Sequence, residues 1–278
     1  VRAGLIQLTS GDDPVANLAE TQAMISRAAE GGAGFVLTPE ATNCISTSRS
    51  VQNEVLRHES DDATLDALRD QAAALGIWVL IGSLALKTDD ADGRFANRSF
   101  LIGPDGAIAA RYDKIHMFDV DIGDGEVFRE SDAYRPGDRA VVADTPFGAL
   151  GLSVCYDLRF PYLYRALAHA GARILTVPSA FHPVTGAAHW HVLLRARAIE
   201  TGCYVLAPAQ TGDHAIRQGR PRQSYGHSLA ISPWGEVLAD AGTEKGVVFV
   251  DLDPANVDKA RGRVPSLNHD HDFKAPQL

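Results

Sequence analysis

Three segments of this chain end in residues that together could carry out acyl transfer. In Gly151-Leu-Ser-Val-Cys155-Tyr-Asp-Leu-Arg-Phe160-Pro161, an apolar run leads into a thiol, and a helical pattern begins at Arg159. A thiol on a strand-to-helix turn has backbone N–H groups aimed near it, and the positive potential of a helix start lowers its pKa. The competing reading is a small buried hydrophobe, the commonest fate of a free cysteine. In Phe35-Val-Leu-Thr-Pro39-Glu40, a second apolar run ends at a carboxylate. Apolar surroundings there would raise the pKa of Glu40 and suit it to general-base work. A solvated loop carboxylate is the plainer alternative. In Ala109-Ala-Arg-Tyr-Asp-Lys114-Ile-His-Met-Phe118, a lysine sits among apolar and aromatic neighbours. It could stabilise a developing oxyanion, or it could simply face solvent.

The elements that would hold these residues are legible in the pattern. Short apolar and β-branched runs predict strands at Val1–Leu8, Gly34–Leu37, Ile77–Ile81, Arg98–Ile102, Val141–Ala143, Gly151–Val154, Ile174–Val177, Tyr204–Ala207, Leu229–Ile231 and Val247–Val250. Helical patterns fill Pro14–Gly31, Asp61–Leu75, Arg159–Ala170 and Ala187–Thr201, most of them stopping at a glycine. Pro104-Asp-Gly106 and Pro233-Trp-Gly235 read as tight turns between paired strands. Alternating strands and helices predict an α/β fold, partly antiparallel because of those turns. Composition shows no linker, so residues 1–278 read as a single domain. The tail, 264–278, lacks periodicity and is expected to pack on a neighbour at a subunit interface.

Composition narrows the function classes. The 278 residues carry 26 basic and 35 acidic side chains, a formal net charge of −9, with no basic block. Nucleic acid is therefore a poor partner. No apolar run is long enough to span a membrane, and Val1–Leu8 lacks the features of a signal peptide. Three cysteines, Cys44, Cys155 and Cys203, do not make a disulfide framework. A cytoplasmic location is the expectation. Cys44 and Cys203 lack a strand-to-turn setting and read as packing residues, although Cys44 follows Glu40 closely enough to share its pocket.

Taken together the three segments resemble the nitrilase superfamily of carbon–nitrogen hydrolases. The resemblance extends from Ala3 to Asp251 and includes Pro178-Ser-Ala-Phe181, His189-Trp190, Arg195-Ala-Arg197-Ala-Ile-Glu200, Tyr225-Gly-His-Ser228 and Pro233-Trp-Gly235. It implies a catalytic triad of Glu40, Lys114 and Cys155, and a supporting Glu130 that orients the lysine, with Glu126 as a neighbouring alternative. It also implies a four-layer α-β-β-α sandwich, homo-oligomeric assembly as a dimer or larger, and no metal or organic cofactor. Tyr156, Arg159, Phe118, Ala180 and Phe181 are the candidates to contact the substrate. Nitrilases proper carry Trp-Glu after the catalytic cysteine, whereas Tyr156-Asp157-Leu-Arg159 resembles the amidase branch. That branch acts on deaminated glutathione or, as omega-amidases, on α-keto acid amides such as α-ketoglutaramate and α-ketosuccinamate. A carboxylate-bearing small amide is thus the expected substrate, with Arg159, Arg195 and Arg197 as candidate cations. Arg195 and Arg197 read first as structural.

Other functions fit less well. A nitrilase or N-carbamoyl amidohydrolase would use the same triad. Gly226-His-Ser228-Leu-Ala230 approximates a serine-nucleophile elbow, but the histidines that follow it, His269 and His271, lie in the irregular tail. A metal reading of His189 and His191 fails because residues two apart on a helix face different ways, and His269-Asp-His271-Asp272 closes no coordination shell. A binding protein without activity is disfavoured because every triad position is filled. Asn97-Arg-Ser99 matches a glycosylation sequon but falls on an expected strand.

Overall fold

In the computed structural model, described here for residues 1–123 and 125–276, the chain builds two sheets in chain order. Strands β1 (Arg2–Gln7), β2 (Phe35–Leu37), β3 (Trp78–Leu86), β4 (Ala96–Ile102) and β5 (Ile108–Asp113) lie in the first. A small ribbon follows, β6 (Asp119–Asp121) with β7 (Val127–Arg129). The second sheet holds β8 (Val141–Ala143), β9 (Leu150–Leu152), β10 (Ile174–Thr176) and β11 (Tyr204–Ala207). A second ribbon, β12 (Thr211–Asp213) with β13 (Gln223–Tyr225), precedes β14 (Leu229–Ile231) and β15 (Val237–Asp240), which complete that sheet. Finally β16 (Gly246–Asp251) returns to the first sheet. The orders are β16-β1-β2-β3-β4-β5 and β15-β14-β11-β10-β9-β8. Parallel pairs occupy the centre of each sheet and antiparallel pairs the edges.

Helices α1 (Pro14–Glu30) and α3 (Ala63–Leu75) cover the outer face of the first sheet; α2 (Arg49–Val55) is short. Helices α4 (Pro161–His169) and α5 (Pro183–Thr201) cover the second sheet, and α6 (Ala255–Arg263) follows β16. Side-chain alternation explains the layering. Leu5, Phe35, Leu37, Leu80 and Leu101 point inward to meet Leu150, Leu152, Ile174 and Leu206 of the other sheet. Their neighbours Ile6, Val36, Val79, Ile81 and Ile102 point outward onto Ile25 and Ala28 of α1 and Leu65, Leu68 and Ala72 of α3. Both faces of each sheet are buried, which is why the strands read as nearly continuous apolar runs. The result is the expected four-layer α-β-β-α sandwich.

Helix boundaries follow local chemistry. Asp13 caps α1, accepting from the Val15 and Ala16 N–H groups, with Pro14 in the first turn. Asp62 caps α3, and Gly76, at φ +65°, ends it. The helix expected from Arg159 is instead a 3₁₀ turn over Cys155–Arg159 followed by α4 from Pro161, because proline sets a helix start. Helix α5 begins at Pro183, four residues before the expected start, for the same reason. Helices α2 and α6 were not expected from the sequence. The first part of the tail lies on its own chain: Arg165 of α4 donates to the Ser266 carbonyl and pairs with Asp270, and His169 pairs with the same carboxylate at 2.9 Å. Residues 277 and 278 of the tail lie outside the described residues.

One glycine decides how the sheet ends converge. A Cβ at Gly82, on β3, would lie 2.1 Å from the Thr38 carbonyl oxygen, 2.5 Å from that of Pro39 and 2.6 Å from the Pro178 Cβ. Only hydrogen there lets the loop that carries Glu40 and the loop that leads to Ala180 close over the same strand.

Candidate active site

Each of the chemistry-bearing residues sits just past the end of a strand or at a short turn, and the two sheets bring those ends together. Glu40 follows β2, Lys114 follows β5, Cys155 follows β9, and Glu130 opens the 3₁₀ turn after β7. Cys155 adopts φ +50°. That conformation costs a non-glycine residue roughly 1–3 kcal/mol and persists only where its surroundings impose it. The surroundings are on view. The Cys155 N–H donates to the Pro178 carbonyl at 2.9 Å. Asp157, fully buried, accepts from Val154 N (2.8 Å), the Tyr112 hydroxyl (2.7 Å) and the His116 backbone N–H (3.0 Å), and its Oδ1 meets His116 Nδ1 at 2.6 Å. The turn that presents the thiol is thereby fastened to the segment that carries Lys114.

The charges interlock. Lys114 Nζ donates to Glu40 Oε1 and to both oxygens of Glu130, each at 2.9 Å. Asn97 Nδ2 also donates to Glu40 Oε1, at 2.9 Å, and the Ala180 N–H donates to Glu40 Oε2, at 2.8 Å. Glu130 Oε2 further accepts from the Phe118 N–H at 2.6 Å. Glu130, rather than Glu126, is thus the carboxylate on the lysine; Glu126 pairs with His182.

Two electrostatic expectations are corrected. Burial pushes the Glu40 pKa up, but the Lys114 charge, with hydrogen bonds from Lys114, Cys155 and Asn97, outweighs it and lowers it below its usual value. Burial, reinforced by the Glu40 charge, raises the Cys155 thiol well above its usual value, against a smaller opposing effect of Lys114. The short turn starting at Cys155 does not overcome this. Burial works against the charge of Lys114, yet Glu130 and Glu40 hold its pKa well above the ordinary value. The resting site is therefore a neutral thiol beside a carboxylate and an ammonium.

These groups face a cavity of about 310 Å³. Four of the five residues expected to contact substrate, Phe118, Tyr156, Ala180 and Phe181, line it, and so does Cys44. Arg159 does not. Its guanidinium lies outside, 5.4 Å from the Phe181 ring centre and hydrogen-bonded to His189, because the 3₁₀ turn swings it toward α5. Arg195 and Arg197 are structural: Arg195 donates to the Gly235 carbonyl, and Arg197 to the Leu158 carbonyl and Glu200. The pocket arginines are Arg49, Arg129, Arg220 and Arg222, and among the described residues none forms a salt bridge. Sequence reasoning missed all four; Arg217, Arg220 and Arg222 in one glycine- and proline-rich loop were the available signal. Asp157 was passed over as well, although a buried carboxylate two residues after a turn cysteine is a recognisable turn fastener. Asn97 was expected on a strand, and it is buried on β4 holding Glu40. Ser228, the rival nucleophile, is fully buried between Gln7 Oε1 and the Ala209 N–H.

A two-sheet sandwich with a Glu, Lys and Cys cluster at its strand ends defines a class of hydrolases that act on carbon–nitrogen bonds. The carbon-nitrogen hydrolase family model matches residues 2–262, and the chain belongs to that family. The chain is 40% identical to a deaminated glutathione amidase from Yersinia enterocolitica, over 95% of this chain and 91% of that protein. The Caenorhabditis elegans NitFhit structure superimposes with a TM-score of 0.89 at 37% identity, covering 97% of this chain and 64% of that one. An amidase of the nitrilase superfamily from Nesterenkonia sp., 28% identical, aligns with a TM-score of 0.76 over 95% of this chain and 98% of its own. One of its structures shows acrylamide added at the active-site cysteine. The protein is a hydrolase of non-peptide carbon–nitrogen amides. No helix among the described residues is long and apolar enough to cross a membrane.

Proposed function

We propose that this protein hydrolyses the amide of a small carboxylate-bearing acid of the deaminated glutathione type, through a thioester on Cys155. The observation that carries this reading is the contact of Lys114 with both Glu40 and Glu130 in a pocket whose arginines form no salt bridge among the described residues. The Cys155 sulfur attacks the amide carbonyl carbon as Glu40 takes the thiol proton. Coupling attack to proton transfer suits a thiol whose pKa is raised, since a free thiolate would be scarce. Lys114 and the Tyr156 N–H receive the negative oxygen of the tetrahedral intermediate. The carbon–nitrogen bond then breaks, Glu40 returns its proton to the nitrogen, and the amine leaves, as cysteinylglycine from deaminated glutathione or as ammonia from a primary amide. Water, deprotonated by Glu40, cleaves the thioester to release the acid and restore the thiol. Glu130 holds Lys114 in place and charged throughout.

The pocket arginines suit a carboxylate at the far end of the substrate. The cavity sits at the lower end of the roughly 300–1,000 Å³ typical of ligand pockets, and a five-carbon keto-acid amide would leave much of it unfilled. That favours the larger acid over α-ketoglutaramate, the substrate of the omega-amidase alternative. The test is product release, read as cysteinylglycine from deaminated glutathione and as ammonia from α-ketoglutaramate, an uncharged aliphatic amide and a nitrile, with Cys155→Ala as control. Highest kcat/KM on deaminated glutathione and no turnover by the control are expected. Preference for the nitrile or the uncharged amide would overturn the substrate reading, and turnover by the control would overturn the mechanism.

A further inference from the structure

Away from the pocket, three side chains remote in sequence converge on the outer side of the second sheet. His191 lies on α5, His227 in the turn between β13 and β14, and Asp240 ends β15. His191 Nε2 is 3.2 Å from Asp240 Oδ2, and His227 Nδ1 is 2.9 Å and 3.1 Å from the two oxygens of that carboxylate. One donor atom from each residue lies within 4.8 Å of the other two. Ligand atoms about 2.1 Å from a tetrahedral ion are about 3.4 Å apart. Two separations are already close to that, and a modest turn of the half-exposed His191 ring supplies the third.

The cluster is also held in shape. His227 takes φ +57°, a conformation that few residue types adopt readily. Its carbonyl accepts from Trp190 Nε1 at 2.8 Å, its N–H donates to the Gly242 carbonyl at 2.7 Å, and its ring stacks on Tyr225 with centres 4.6 Å apart. Asp240 Oδ1 accepts from the Gly242 N–H at 2.8 Å. Neighbouring hydrogen bonds and both histidines keep the carboxylate below its usual pKa despite partial burial. The side chains of His191, His227 and Asp240 are 34%, 23% and 33% exposed, so an ion can reach them and water can fill its remaining positions.

We propose that His191, His227 and Asp240 form a binding site for a divalent transition-metal ion of the zinc, cobalt or nickel type. Two imidazoles and one carboxylate favour such ions over calcium or magnesium, which prefer all-oxygen shells. The ion would tie α5 to the β14–β15 hairpin. Its role is structural, since the triad lies elsewhere and only the first turn of α5, at Thr185, lines the pocket.

The full chain, stripped with a chelator and dialysed, is titrated with cobalt(II) and followed by visible absorption, then with zinc(II) and followed by equilibrium dialysis and thermal unfolding. One equivalent bound is expected, with nitrogen–oxygen cobalt bands, a raised Tm for the zinc form and unchanged kcat. His191→Gln and Asp240→Asn should each weaken binding by about 100-fold or more, beyond the 10- to 100-fold typical of losing a ligand's supporting partner. A thiolate-to-cobalt charge-transfer band would place the ion on a cysteine and overturn the proposal. So would binding unchanged in both variants, or no saturable binding by the unmodified chain, which needs no variant to fold.

Discussion

Asp157→Asn isolates the device that presents the nucleophile. The buried carboxylate meets four polar groups: Oδ2 accepts from Val154 N and the Tyr112 hydroxyl, and Oδ1 accepts from His116 N and faces His116 Nδ1. An amide of the same shape has one acceptor and one donor end. With the NH₂ group at the Oδ2 position, the Tyr112 hydroxyl can rotate to accept, but the Val154 N–H loses its partner. With the NH₂ group at the Oδ1 position, a change of tautomer lets His116 accept, but the His116 N–H loses its partner. Either way one buried donor is orphaned, at a cost of about 1–3 kcal/mol. The lost charge-assisted bonds add to this. The turn at Cys155, already in a costly conformation, then has less to hold it. Urea unfolding should show the lower stability. Steady-state kinetics should show kcat reduced by about 10- to 100-fold with little change in KM, because small displacements of a nucleophile cost rate rather than binding. A variant that unfolds at the same urea concentration and turns over like the parent would refute the assignment of Asp157 as the fastener of the turn.

Three further outcomes follow from the same geometry. The Glu40 pKa is lowered from 4.5, so its stabilising contribution is complete above 4.5 and is lost as pH falls through the depressed value; the Lys114 pKa is raised from 10.5, so its contribution is complete below 10.5 and is lost as pH rises beyond it. The kcat/KM profile should therefore stay level across neutral pH without an inflection at 9.0, the usual thiol value; a clear rise centred there would show that free thiolate carries the reaction. Arg220→Gln should raise KM for a carboxylate-bearing amide by about 10-fold, roughly the 1.4 kcal/mol of one exposed charged contact, and leave an uncharged amide unaffected; equal losses on both substrates would remove Arg220 from substrate recognition. Gly82→Ala should destabilise the fold by about 1–3 kcal/mol through overpacking and lower turnover, since the new Cβ would push apart the loops bearing Glu40 and Ala180; thermal unfolding unchanged from the parent would contradict the close approach.

Some of this was legible without coordinates, and the division has a physical cause. The apolar runs ending at Glu40 and Cys155 already declared strands, because a strand buried on both faces needs nearly continuous hydrophobicity and a polar residue marks where it leaves the core. The order and setting of those two residues and Lys114 carried the family resemblance, and with it the layers and the triad. Electrostatics were not legible. Glu40 looked like a base with raised pKa and Cys155 like a thiol with lowered pKa; both directions reversed once Lys114, Asn97 and burial were in place, since a pKa depends on distances across the fold. Arg159 appeared nearest to the substrate by position in the chain, yet a 3₁₀ turn sends it outward, while Arg220 and Arg222 arrive from a loop some sixty residues on. His191 was dismissed because its helical neighbour His189 faces elsewhere; only the packing of α5 against β13 and β14 sets His227 and Asp240 beside it. Sequence by itself determined which residues are placed at strand ends. Tertiary structure alone decided which of them meet, and therefore what charge each one holds.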